Sequence, residues 1–103
     1  MSSLSTHVLD TASGRPAAGI GVRLETSDGR VLGVGVTDAD GRLTDLGPAR
    51  LEVGNYLLRF DTAARDDSFY PEVLVAFKVS EADQHYHVPL LLSPYGYTTY
   101  RGS

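Results

Sequence analysis

Apolar residues recur at every second position through this chain, in short runs that glycine- and proline-rich turns keep interrupting. Val22 and Leu24 alternate with Arg23 and Glu25, and Val73, Val75, Phe77 and Val79 alternate with Leu74, Ala76 and Lys78. Successive side chains leave a pleated strand on opposite sides, so this period of two is the pattern of strands with one buried face. Strands read this way fall at 4–10, 21–26, 31–37, 42–46, 56–60, 72–79, 85–92 and 97–101. Gly33 and Gly35 sit inside the third, where glycine marks a bulge or a close backbone approach. Asp28-Gly29 supplies the positive φ values of a tight primed hairpin turn. Only 61–68, DTAARDDS, departs from the pattern: Asp61 or Thr62 can cap a helix, and Ala63 and Ala64 favour one of about two turns. Seven or eight short strands and one short helix between the fifth and sixth predict an all-β sandwich. A length of 103 residues supports one domain, spanning 1–103.

Composition removes several kinds of chemistry. With no cysteine there is no disulfide frame, thiolate nucleophile or Cys-ligated zinc. Lys78 is the single lysine, so Schiff-base chemistry has one weak candidate. A net charge of -4 argues against nucleic acid or an anionic membrane as partner. No apolar run reaches the length of a membrane span. MSSLSTHVLD has neither the basic start nor the apolar stretch of a secretory signal, which points to the cytoplasm, and the chain ends without a Ser-Lys-Leu type of peroxisomal address.

Histidine and arginine carry what chemistry remains. Imidazole changes charge near neutral pH and is the ordinary general base. Most strand histidines are solvated or structural, but His7 and His87 share their outer strand faces with Leu9, Pro89 and Leu91. An apolar outer face on so small a domain suggests that another subunit covers it. His85 and His87 also form an H-x-H pair that could hold zinc with His7 as a third ligand. Asp38-Ala39-Asp40-Gly41-Arg42 begins like a calcium loop, but Ala49 stands where the twelfth-position glutamate belongs. The plainer reading is a turn that presents Arg42. Arg42 and Arg101 offer planar forks of donors suited to an anionic or carbonyl-rich ligand.

Three motifs occur in order: LSTHVLDTASGRPA near the start, TDADGR in the middle, and HYHVPLLLSPYGYTTYRGS at the end. Together they resemble the 5-hydroxyisourate hydrolases, the transthyretin-like enzymes of urate breakdown, over essentially the whole chain. The resemblance implies a transthyretin-type sandwich of two four-stranded sheets with a short helix after the fifth strand. It also implies a homotetramer, built as a dimer of dimers, with active sites in the channel between dimers. The family's catalytic residues map onto His7, Arg42 and His87, with Tyr100, Arg101, Gly102 and Ser103 completing the pocket. The implied substrate is the small molecule 5-hydroxyisourate, whose ring amide is opened by water. His7 is the expected base, and His87 orients the water or donates to the leaving nitrogen. Arg42 stabilises the developing charge, Ser103 can set an imidazole tautomer, Tyr100 walls the pocket, and Arg101 and Gly102 contact substrate. No metal or other cofactor is implied. Two other readings remain: a transthyretin-like carrier that holds a small molecule without turnover, and a structural sandwich such as a pilus module.

Overall fold

The computed structural model describes residues 3–103. Ten strands follow in order: β1 (Leu4–Asp10), β2 (Arg15–Pro16), β3 (Gly21–Thr26), β4 (Val31–Val36), β5 (Arg42–Leu43), β6 (Gly54–Asp61), β7 (Glu72–Val79), β8 (Tyr86–His87), β9 (Leu90–Ser93) and β10 (Gly96–Thr99). One sheet is antiparallel and four-stranded, in the order β4-β3-β6-β7. The other has the order β10-β9-β1-β2, with β5 and β8 also paired to β1. The two pack as a sandwich. The alternation sends Leu4 and Val8, Val22 and Leu24, Leu58 and Phe60, Val73 and Val79, and Leu90 and Leu92 into one shared core. Each such side chain stabilises the fold by roughly 1.5–3 kcal/mol relative to exposure.

The second sheet has six segments where four strands are expected, because short pieces add to both edges of β1. The expected strand over 85–92 is two strands, β8 and β9. Pro89 lies in the gap, has no N–H to give a ladder, and uses its carbonyl to accept from Thr99 Oγ1 at 2.8 Å.

The short helix expected over 61–68 is absent. β6 continues through Asp61, and two turns follow, with Arg65 N donating to Thr62 O and Ser68 N to Arg65 O, each at 3.1 Å. A helix this short gains too few internal hydrogen bonds to offset nucleation. Tertiary partners take its polar groups instead: buried Thr62 donates from Oγ1 to the Tyr70 carbonyl, and Arg65 pairs with Asp10 of β1.

The Asp28-Gly29 turn is also of a different kind. A primed turn of that type needs two positive φ values. Gly29 has φ 93°, while no non-glycine among the described residues has a positive φ. The loop is instead three residues long, closed by Gly29 N to Thr26 O and Thr26 N to Arg30 O, each at 2.9 Å. The ladder then slips by one residue between Leu24 and Glu25. The glycines of β4 do mark a close approach: a β-carbon on Gly33 would stand 2.7 Å from Gly47 N. Among the described residues no helix is long and apolar enough to cross a membrane.

Candidate active site

β1 is the strand on which the candidate residues assemble. Leu4, Thr6 and Val8 face the core, so Ser5, His7 and Leu9 share the outer face. Antiparallel pairing with β5 sets His7 opposite Arg42. Parallel pairing with β8 sets Ser5 opposite His87. The sheet order puts β5 and β8 on opposite edges of β1. One outer face therefore carries His87, Ser5, His7 and Arg42 across three strands. These residues are 82 positions apart at the extremes, and only sheet register brings them together.

The 38–42 turn orients two of them. Asp38 Oδ1 accepts from Asp40 N at 2.9 Å and from Arg42 N at 3.0 Å. Asp38 N and the Arg42 carbonyl close the turn at 2.9 Å. The acidic side chain that suggested a calcium loop is thus a turn acceptor. Gly41 has φ 74° and packs so tightly on β1 that a β-carbon there would lie 2.4 Å from the Val8 carbonyl oxygen. The Asp40 carbonyl then accepts a hydrogen bond from His7 Nε2 at 2.9 Å. A carbonyl only accepts, so Nε2 carries the hydrogen and Nδ1 is the nitrogen left to take a proton.

His87 is held differently. Its Nδ1 lies 2.8 Å from Ser5 Oγ, and His85 Nε2 lies 2.8 Å from the same oxygen. The two imidazoles of the H-x-H pair thus converge on a buried hydroxyl, while the His7 nitrogen Nε2 turns to Asp40. Burial, above all, holds the His87 pKa below its ordinary value, and the nearby His7, His85 and Arg42 act in the same direction; a hydrogen bond to Ser5 opposes them. His87 is accordingly a neutral imidazole at neutral pH.

The last residues reach the site through one contact. Gly102 forms a bridge with His87, its N–H donating to the His87 carbonyl at 2.8 Å. Tyr100 and Ser103 are exposed. The Arg101 guanidinium lies 4.8 Å from the centre of the Tyr86 ring and donates to Gln84 Oε1 at 3.0 Å. No hydrogen bond or ion pair joins it to His7, Arg42 or His87 among the described residues. Tyr100 and Arg101 instead line a cavity of about 280 Å³ with Phe77, Tyr86 and Val88. His7, Arg42 and His87 are therefore brought onto one face, Gly102 is added to it, and the Arg101 side chain is directed elsewhere.

Ser5 and the Asp40 carbonyl are the two groups that sequence reasoning passed over. A signal for Ser5 was present: it lies two residues before His7, on the same strand face. None existed for a backbone carbonyl.

A family model described as HIUase/Transthyretin matches residues 4–102. The chain belongs to the HIUase/Transthyretin family. Within that family it is 49% identical, over 115 aligned residues, to the 5-hydroxyisourate hydrolase of Caulobacter vibrioides, with 100% of both chains covered. The Klebsiella pneumoniae 5-hydroxyisourate hydrolase structure superposes with a TM-score of 0.88 at 40% identity, again over 100% of each chain. Transthyretin from Sparus aurata has the same fold, with a TM-score of 0.86 at 31% identity over 99% of this chain and 97% of that one. Both branches of the HIUase/Transthyretin family thus share the sandwich, and the resemblance is stronger to the hydrolases. All candidate residues but Ser103 lie inside the matched span.

Proposed function

We propose that this chain, as a single hydrolase domain over 1–103, hydrolyses 5-hydroxyisourate to 2-oxo-4-hydroxy-4-carboxy-5-ureidoimidazoline. The observation that carries the reading is the register of β1, which sets His7 beside Arg42 and Ser5 beside His87 on one face. In the reaction, water adds to a ring carbonyl and the ring C–N bond breaks. His7, whose Nε2 is engaged by Asp40 and whose Nδ1 is the unprotonated nitrogen, takes the proton from water. Arg42 stabilises the charge that develops on the carbonyl oxygen. His87 donates from Nε2 to the leaving nitrogen. Positioned acid and base groups of this kind contribute on the order of 10²–10⁴-fold each. Gly102 fixes the His87 ring and Ser103 follows it at the edge of the substrate site, whereas Tyr100 and Arg101 line the cavity beside Tyr86 and take no part in this scheme. No step calls for a metal.

An open sheet face lacks the walls that exclude water and hold a substrate. Half-buried Leu9 and Leu91 flank His7 and His87 on this one. The reading therefore includes a homotetramer in which such faces close on one another, and a cytoplasmic setting. A monomer seen by sedimentation at micromolar concentration would remove the shared channel.

The direct experiment follows the ultraviolet absorbance of freshly generated 5-hydroxyisourate with purified protein. Accelerated decay, unchanged by a chelator, is expected. Decay abolished by the chelator would return the H-x-H pair to zinc. No acceleration would favour the carrier reading.

A further inference from the structure

Ser5 Oγ is a hydroxyl with one hydrogen to give and two lone pairs to offer, and it lies 2.8 Å from a ring nitrogen on each of two histidines. We infer that Ser5 is a positioning residue that relays a proton from His85 to His87 during turnover, and so sets which nitrogen of His87 faces the substrate. The inference deepens the hydrolase reading and rests on it.

The geometry leaves little choice of path. Ser5 is buried on β1, while His85, at the other end of the chain of hydrogen bonds, is exposed. His87 lies between the hydroxyl and the open face. A neutral imidazole is a poor acid, because giving up its only N–H leaves an anion. Burial above all, with His7, His85 and Arg42 close by, disfavours a standing imidazolium at His87. A group that must donate, yet is kept neutral, needs its other nitrogen refilled as it gives.

The relay meets that need with protons and charge in balance. His87 Nε2–H passes to the leaving ring nitrogen as the C–N bond breaks. Ser5 Oγ–H moves to His87 Nδ1. The imidazolium form of His85 gives Nε2–H to Ser5 Oγ and becomes neutral. His87 ends neutral with its hydrogen on Nδ1, Ser5 ends as a hydroxyl, and His85 ends neutral with Nε2 bare. Once product leaves, His87 Nε2 takes a proton from solvent, His87 Nδ1–H returns to Ser5 Oγ, and Ser5 Oγ–H returns to His85 Nε2, which regains its imidazolium form.

The test compares Ser5→Ala, His85→Ala, His85→Gln and the double variant S5A/H85Q on 5-hydroxyisourate, alongside the ¹⁵N shifts of the His87 ring. Glutamine can still donate a hydrogen bond to Ser5 from its amide N–H but carries no proton to pass on. The relay therefore predicts that H85Q and H85A lose kcat alike, by about 10–100-fold with KM nearly unchanged, within the range of one acid–base group. S5A loses a similar factor. The double variant is no worse than either single one, since a chain broken once is already broken. The ¹⁵N shifts should show the His87 tautomer changed in S5A. H85Q activity equal to wild type, or losses that multiply in the double variant, would overturn the relay. Because His85 is exposed, H85Q decides the matter even if S5A disturbs packing. Inactive wild-type protein would instead overturn the hydrolase reading, and a His87 tautomer indifferent to S5A and H85Q would then overturn the relay separately.

Discussion

Gly102 rests its α-carbon on the ring of His87. A β-carbon at position 102 would stand 2.4 Å from His87 Cδ2 and 3.2 Å from Cγ, while the Gly102 N–H holds the His87 carbonyl at 2.8 Å. The small residue at position 102 thus packs against an imidazole 15 residues earlier, the one proposed to donate to the leaving nitrogen. Gly102→Ala should leave the sandwich folded but swing the ring, lowering kcat/KM by about 10²-fold, the scale on which an ångström of misplacement acts. Full activity with an unchanged circular dichroism spectrum would show that the contact has no such role.

Arg42 has an exposed side chain, and its backbone is held by Asp38. Arg42→Ala should therefore cost no measurable stability and lower kcat by roughly 10²–10³-fold, the loss seen when one charge-stabilising donor is removed. Lysine at 42 should recover only part of it, lacking the planar fork. An Arg42→Ala protein as fast as wild type would remove arginine from the reaction.

Gly41 combines a φ of 74° with a β-carbon position 2.4 Å from a backbone oxygen. Gly41→Ala should destabilise by about 2–4 kcal/mol, through left-handed strain and a clash that backbone cannot relieve cheaply. Chemical denaturation measures this. Because the Asp40 carbonyl would shift with the turn, activity should fall alongside stability.

His87 has its pKa lowered on folding, chiefly by burial. Between the folded value and about 6.5, the unfolded chain binds the extra proton, so stability is full above that window. It declines as pH falls through the window and levels off below the folded value. His87→Gln should flatten that part of the stability curve. A curve of unchanged slope would place the titrating group elsewhere.

Glu25 behaves in the opposite part of the pH range. It sits nearly buried on the outer face of the four-stranded sheet, at 2.5 Å from Arg23 Nε and 3.1 Å from Arg59 Nε. The hydrogen bond from Arg59 above all, with Arg23 adding to it against the effect of burial, holds its carboxyl below the ordinary range. The folded pKa is depressed, so its stabilisation is present above about pH 4.3 and lost as pH falls through the folded value. Thermal denaturation of wild type and Glu25→Gln from neutral to acid pH should show the difference between them shrink.

Period-two alternation was enough to reveal an all-β chain, the inward faces of β1, β3 and β7, and the outward placement of His7 and His87. The faces follow from strand geometry alone, which needs no knowledge of neighbours. The candidate residues His7, Arg42 and His87 were named together only through motif resemblance, since nothing local distinguishes a catalytic strand histidine from a solvated one. The helix expected over 61–68 failed because propensity is weak in two turns and Thr62 and Arg65 found partners outside the segment, in Tyr70 and Asp10. Ser5 as a hydroxyl between two imidazoles, Asp40 as the acceptor that sets the His7 tautomer, and Arg101 turned onto Tyr86 were decided by the tertiary structure. Each depends on strand register or on a side chain from a distant segment. Those are relations between positions up to 82 residues apart in sequence, and the chain acquires them only when its sheets close.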